Sequence, residues 1–123
     1  MGALMNLQIK AATGQITTDG SGNGTVALTG VQGEILAVKV TLAVGMSSAP
    51  LTLTNDHGQT VLTKTISATT TFNTASPLTT NDGTTAITGA HAYYINVGGS
   101  MTATVASGTA TQTNGVTVTV YYR

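Results

Sequence analysis

Hydroxyls are abundant in this chain, but the side chains that could activate one of them as a nucleophile are few and scattered. The only histidines are His57 and His91, and the carboxylates that could orient one of them are Asp56 and Asp82. A hydrolase of the Ser-His-Asp kind needs a hydroxyl beside a base that a third group holds in place. Asp56 and His57 lie instead in an Asn-Asp-His-Gly stretch that is typical of a surface turn. The sequence therefore predicts a protein that is not an enzyme and has no catalytic residue.

A second stretch has a partial resemblance to a metal site. Residues 19–24, Asp-Gly-Ser-Gly-Asn-Gly, offer oxygen ligands at alternating positions, as in the first half of a calcium loop. A complete EF-hand loop needs a bidentate Glu at its twelfth position and helices on both sides. That position is Gly30, and no helical pattern flanks the stretch. We interpret it as a glycine-rich turn, and the sequence predicts no metal and no other cofactor.

The composition favours contact with other proteins over chemistry. Threonine fills 27 of the 123 positions, while charged residues make up only 7% and the net charge is zero. Threonine is β-branched and suits a half-buried sheet face. The four cations are scattered and cannot form the clustered basic surface of a nucleic-acid-binding protein. Because charge normally keeps free proteins apart, this neutral surface predicts assembly, most simply as a homo-oligomer.

The sequence also bears on location. Its first ten residues lack the basic region and the continuous apolar run of a signal peptide. No apolar run is long enough for a membrane-spanning helix. The absence of cysteine is compatible with a reducing compartment. These features predict synthesis and assembly in a cytoplasm, with no membrane partner.

Short alternating segments separated by turn signals predict an all-β fold. No segment has the 3.6-residue apolar period of a helix. The expected structure is a single domain, residues 1–123, folded as an antiparallel β-sandwich or small β-barrel of about 7–8 strands. Residues 1–12 are predicted to be an N-terminal arm or the first strand, and residues 67–89 a long loop rich in Thr and Asn.

Several individual strands can be placed. The first is predicted over residues 5–11, and the strongest, expected to be central, begins at Gly33. In that strand one face is expected to comprise Leu36, Val38, Val40, Leu42 and Val44. A β-hairpin is predicted for residues 51–54 and 60–66, around the turn at 55–58. Residues 101–106 and 116–122 are predicted as the final pair of strands.

Candidate interface residues come from exposed edges and aromatic pairs. Adjacent tyrosines on a strand point to opposite faces, so one member of Tyr93–Tyr94 and of Tyr121–Tyr122 is expected to be exposed. An exposed tyrosine is a good anchor for a partner, and methionine adapts to irregular partner surfaces. Little charge is available to protect an edge strand from pairing with a neighbour. The predicted partner interface comprises Met5, Leu7, Ile9, Met46, Tyr94 and Tyr121.

Four segments carry a resemblance to a known group of proteins. They are residues 17–26 (Thr-Thr-Asp-Gly-Ser-Gly-Asn-Gly-Thr-Val), 33–40 (Gly-Glu-Ile-Leu-Ala-Val-Lys-Val), 57–62 (His-Gly-Gln-Thr-Val-Leu) and 97–108 (Val-Gly-Gly-Ser-Met-Thr-Ala-Thr-Val-Ala-Ser-Gly). In pattern and turn placement the chain resembles small virion proteins of tailed bacteriophages, most of all head decoration (cement) proteins. The resemblance implies a compact β-domain on the outside of the capsid, often trimeric. Its partner would be the major capsid protein, whose neighbouring subunits it would tie together.

Two other functions remain open at this point. One is a tail-associated or fibre module that recognises a host-surface glycan through the loop at 67–89, although Phe72 is the only aromatic residue there. The other is a head–tail joining or tail-tube protein, since tube subunits also expose strands for ring closure.

Overall fold

The fold is described from a computed structural model, which covers residues 8–73, 75–79 and 86–123, with the side chains of 73–79 and 86–92 left aside. The described residues form ten β-strands and no helix. No described segment is therefore a helix that could span a membrane. The strands are β1 (Lys10–Ile16), β2 (Gly24–Leu28), β3 (Gly33–Leu42), β4 (Ala49–Thr54), β5 (Thr60–Ile66), β6 (Thr70–Asn73), β7 (Ala75–Thr79), β8 (Ala86–Asn96), β9 (Met101–Val105) and β10 (Val116–Tyr122).

The strands form two antiparallel sheets that pack face to face. The larger sheet has the order β1-β10-β3-β8-β7, with β6 also pairing with β3, and the smaller has the order β2-β9-β4-β5. The all-β prediction is confirmed, and the β-sandwich is the correct one of the two predicted architectures because neither sheet closes on itself. The expected 7–8 strands fall short of the ten that the described residues form.

An aliphatic core lies between the sheets. Alternate residues of the strands face inward, as in β10, where Val116, Val118 and Val120 are fully buried. Leu51 and Leu53 of β4 fill the same space from the other sheet. Side chains of this size suit the separation of about 10 Å between packed sheets. The core therefore depends on many modest contacts between valine, leucine and isoleucine.

Strand β3 is central, as predicted, because it pairs with β10, β8 and β6. The prediction of which residues share one face of this strand is wrong at both of its ends. Tyr121 pairs with Ala37 and Tyr122 pairs with Ile35, so Leu36 is an extra residue at a β-bulge. Ile35 is consequently buried in place of Leu36. Val44 lies beyond the end of the strand and is fully exposed.

The long loop predicted at 67–89 is wrong within the described residues. Strands β6 and β7 and the beginning of β8 occupy most of this segment. The low hydrophobicity of the segment suggested a loop, but threonine is a good strand former whose hydroxyl tolerates exposure. Within this segment β7 pairs with β8.

Two further strand predictions need correction. The first strand begins at Lys10 and continues to Ile16 rather than ending at residue 11, since this stretch pairs with all of β10. Strands β9 and β10 do not pair with each other: β9 lies between β2 and β4, and β10 lies between β1 and β3. The polar connection between β9 and β10 therefore crosses from one sheet to the other. The prediction of residues 101–106 and 116–122 as a pair is therefore wrong, because each strand has its partners in a different sheet.

The connection between β1 and β2 generates a test of the packing. Replacing Gly24 with alanine should destabilise the fold, because the added Cβ would collide with the Thr17 carbonyl oxygen and come within 2.7 Å of the Ile16 side chain. Overpacking of this kind costs about 1–3 kcal/mol, measurable by equilibrium urea unfolding. In the same connection, a Cβ on Gly20 would meet nothing within 4 Å. Gly20→Ala should therefore change stability by less than about 0.5 kcal/mol, and equal losses in the two variants would contradict this packing.

Candidate interaction surface

Exposed apolar side chains gather at one end of the six-stranded sheet. Of the four large apolar side chains that are most exposed in the described part of the chain, Ile9, Ile95 and Val97 lie at this end, and only Val44 lies at the other. Ile9 is 60% exposed and Ile95 is 53% exposed. Exposed apolar side chains that gather at one place are common where proteins bind partners, so this end is the candidate interaction surface.

The strand register places these residues in one row on the outer face. Arg123 and Glu34 exchange two backbone hydrogen bonds of 3.0 and 2.9 Å, and Glu34 pairs with Ile95 on β8. Ile9 precedes Lys10, whose partner is Tyr122, so the same register brings Ile9 beside Arg123. Ile9, Arg123, Glu34 and Ile95 therefore form one row, in which Ile9 directly precedes β1 and Arg123 directly follows β10.

An ion pair occupies the middle of this row. The Arg123 Nε–H donates to Glu34 Oε1 over 3.4 Å, and both side chains are well exposed, at 38% and 47%. An exposed pair of this length contributes little to stability. Its importance is its location, since it puts one positive and one negative group between two exposed isoleucines.

Two tyrosines lie next to members of this row along their own strands, Tyr121 two residues before Arg123 and Tyr93 two residues before Ile95. Tyr94 and Tyr122 pack against the core, so their neighbours Tyr93 and Tyr121 lie on the outer face, where both are half-buried. The bulge residue Leu36 is likewise half-buried and is not part of the core. We call the five residues Ile9, Leu36, Tyr93, Ile95 and Tyr121 the tyrosine patch.

The predicted interface residues are divided by the structure. Ile9 and Tyr121 belong to the tyrosine patch, whereas Tyr94 lies on the inner face of the same strand as Tyr93. Met46 is only 5% exposed and packs near Gly108 and Gly115, so it is a core residue and offers no area to a partner. Met5 and Leu7 lie outside the described residues.

Beyond the patch, the outer faces are covered by threonine. On the six-stranded sheet, Thr13 and Thr119 share a hydroxyl–hydroxyl hydrogen bond of 3.1 Å. On the four-stranded sheet, one row crosses all four strands and consists entirely of threonine: Thr25, Thr104, Thr52 and Thr63. Hydroxyl–hydroxyl bonds of 3.2 and 3.4 Å join its first and last pairs. Hydroxyls dominate both faces, and the exposed Lys39 lies among the threonines of the six-stranded sheet, opposite Thr119.

Two shallow depressions of about 400 and 330 Å³ lie on the outer face of the four-stranded sheet, to either side of Ala106. The larger is lined by Pro50, Thr52, Thr63 and neighbouring residues, with Lys64 as its single ionisable group. The smaller contains Asp19 as its single ionisable group. Neither brings together an acid and a base.

The carboxylates of the described residues are used within the fold. Asp19 accepts hydrogen bonds from the backbone N–H groups of Asn23 and Ser21 at 3.0 and 2.8 Å, which lower the pKa of its carboxyl. This confirms the turn predicted at 19–24. Across the described ranges, no group of three or more His, Cys, Asp or Glu side chains could hold a metal ion.

Asp56 is held more extensively. Its Oδ2 accepts the backbone N–H groups of Val97, Gly98 and Gly99, each at 2.9 Å. Its Oδ1 accepts the Nδ1–H of His57 at 3.0 Å. The Gly99 N–H and the other donors lower the pKa of Asp56 far below its ordinary value, against the opposing effect of burial. We call this arrangement the Asp56 clamp.

The geometry around His57 is that of a turn. With Nδ1–H donating to Asp56, the other ring nitrogen, Nε2, accepts from Asn55 Nδ2 at 3.1 Å. Asn55 also donates to the Ile95 carbonyl and accepts from Gln59 N–H. Both ring nitrogens of His57 are thus engaged, and neither contacts a hydroxyl of the described residues. The side chain of His91 and all of Asp82 lie outside the described residues.

Comparison with protein-family models and with curated proteins finds no match. The resemblance to phage virion proteins therefore depends on the residue pattern alone. The β4–β5 hairpin around residues 55–58, which carries part of that pattern, is present as predicted.

Sequence reasoning missed the ion pair and the Asp56 clamp. Glu34 and Arg123 are 89 residues apart, and Asp56 is about 40 residues from its three donors. For the clamp, the sequence offered only an aspartate in a predicted turn and a separate Val-Gly-Gly segment, with nothing to indicate that the two are in contact. Only the fold brings them together.

The Asp56 clamp predicts a dependence of stability on pH. Because the pKa of Asp56 is lower in the folded chain than in the unfolded one, its contribution is complete above the ordinary aspartate pKa of about 4. As the pH falls further, the unfolded state takes up the proton first, so the free energy of unfolding should decrease. Denaturant unfolding between about pH 7 and pH 2 measures this effect.

Asp56→Asn should lower stability at neutral pH and flatten the decrease below about pH 4. Asp19→Asn is the matched control, because Asp19 accepts two backbone N–H bonds from the chain around it and no histidine bond. It should remove less of the pH dependence. If the free energy of unfolding of Asp56→Asn fell with pH as steeply as that of the wild type, the Asp56 clamp would not be the source of the pH dependence.

Proposed function

We propose that this chain is a non-enzymatic structural protein of a tailed-phage virion, which binds the outside of the capsid and stabilises it as a decoration or cement protein. Its partner is the major capsid protein, and it assembles as a homo-oligomer after synthesis in the host cytoplasm. The observation that carries the proposal is that a sandwich with little charge exposes Ile9, Ile95 and Val97 together at one end, which favours assembly over chemistry. The resemblance in turn placement adds to it.

The location of that end supports a docking role for the N-terminal segment. Ile9 leads directly into β1 at the tyrosine patch, and residues 5–9 continue the apolar–polar alternation of a strand. Such a segment can add to the sheet edge of a neighbour, where main-chain hydrogen bonds give affinity. Many copies with modest contacts would together resist the pressure of packaged DNA.

The threonine-covered faces fit the same role. A protein present in many copies on a shell has neighbours on several sides, and strong charge of one sign would make those copies repel. Here hydroxyls keep the outer faces hydrated, and three of the described carboxylates, Asp19, Asp56 and Glu34, already have partners. The surface therefore permits close spacing of identical subunits.

The number of copies per particle tests the role. Quantitative mass spectrometry of purified virions, scaled to the major capsid protein, should find hundreds of copies in a fixed ratio to the capsid subunits. A few copies to about a dozen would favour the tail or fibre role instead. Complete absence from particles would end the virion proposal.

Removal of residues 1–8 tests the docking segment. The trimmed protein should keep its fold, because β1 begins at Lys10, but should occupy fewer sites when added to particles that lack it. Val44→Ser in the full-length chain is the control, because it removes a fully exposed apolar side chain at the opposite end of the sandwich from Ile9. This variant should occupy as many sites as the wild type. Undiminished occupancy by the trimmed protein would contradict a docking role for this segment.

A further inference from the structure

The ion pair inside the tyrosine patch is only partly used. Arg123 engages Glu34 through Nε–H alone, at 3.4 Å. The two terminal amino groups of the guanidinium and the second carboxylate oxygen of Glu34 make no hydrogen bond within the described part of the chain. Arginine binds a carboxylate best through two parallel hydrogen bonds. Both groups can therefore accept a second partner.

The tyrosines around this pair are similarly unengaged. The hydroxyls of Tyr93 and Tyr121 have no hydrogen-bond partner among the described residues, whereas Tyr122 donates to the Gly30 carbonyl. A half-buried ring with an unbonded hydroxyl is the kind of anchor that protein interfaces use. Ile9 and Ile95 flank the ion pair on either side and would exclude water from it.

The charge arrangement identifies the partner. The Arg123 and Glu34 side chains lie side by side among the tyrosine-patch residues, so the side-chain charges of this surface cancel and favour neither a basic nor an acidic partner. A second copy turned by a two-fold axis would place its Glu34 opposite Arg123 and its Arg123 opposite Glu34. An isologous contact of this kind requires a surface that is complementary to itself, and the patch meets that requirement.

We propose that two copies of this chain associate through their tyrosine patches about a two-fold axis, with Arg123 of each copy bound to Glu34 of the other. The apolar residues form the dry centre of the contact. Desolvation by Ile9 and Ile95 strengthens the ion pairs relative to the exposed pair in one chain.

This inference does not depend on the capsid role. It concerns the purified chain in solution, and it predicts a dimer rather than the trimer that the resemblance implies. A trimer would need a contact between two different surfaces of the chain. A solution dimer with no copies in virions would contradict the proposed function alone. Abundant virion copies of a chain that is monomeric in solution would contradict this inference and leave the capsid role standing.

Charge reversal tests the contact. Sedimentation equilibrium of the wild-type protein should show a dimer that dissociates on dilution. Glu34→Arg should raise the dissociation constant by at least about tenfold, because four cations would meet at the axis, and Arg123→Glu should do the same with four carboxylates. An equal mixture of the two variants should recover a dimer, since the two arginines of one variant then face the two glutamates of the other.

Two controls separate association from folding. Lys64→Glu reverses an exposed charge on β5, in the other sheet, and should leave the dimer unchanged. Thermal unfolding should show that all the variants are folded, since the exposed ion pair adds little stability. A monomeric wild type, single variants that still dimerise, a trimer that ignores these changes, or a mixture that stays monomeric would each overturn the proposal.

Discussion

One carboxylate fixes the junction between the two sheets. Asp56 lies in the β4–β5 turn of the smaller sheet, and its three backbone donors are the residues by which the chain leaves the larger sheet after β8. The buried Asn96 extends this junction, because its Oδ1 accepts from Asp56 N–H and its Nδ2 donates to the Val31 carbonyl. Asn96 and Val31 are buried, so their polar groups need partners within the fold. The course of β8, and with it the position of Ile95 in the tyrosine patch, depends on these bonds.

Charge has an unexpected distribution in this fold. Lys10, Lys39 and Lys64 make no ion pair with any residue of the described ranges. Lys10 and Lys64 lie on the edge strands β1 and β5. Their cross-strand partners face the core, so both lysines occupy inward-facing positions at the margin of the sandwich. An exposed lysine at such a position discourages another strand from pairing with the edge. The chain therefore protects two of its edges after all, although its composition suggested too little charge for that purpose.

The sequence predicts best where the signal is local. The β4–β5 hairpin is correct because its turn at 55–58 contains the Asn, Asp and Gly that such a turn needs. The loop predicted at 67–89 is wrong because threonine suits both loops and exposed strands. The tyrosine pairs show the limit for the site: alternation gives one inner and one outer ring, but only the register decides that Tyr93 and Tyr121 are the outer ones. The ion pair of Glu34 with Arg123 has no local signal, because each residue is ordinary in its own segment.

The single extra residue in β3 has a consequence for the whole outer face. In an unbroken strand, Glu34 would have the same orientation as Val38 and Val40, and its carboxylate would point between the sheets, where an unpaired charge is very costly. Leu36 shifts the frame by one position, so that Ile35 enters the core and Glu34 emerges beside Arg123. On the outer face, the part of the strand after the bulge presents Lys39 and Thr41, and the part before it presents Glu34 among apolar neighbours. A one-residue insertion is thus sufficient to divide a continuous strand into two surfaces of different chemistry.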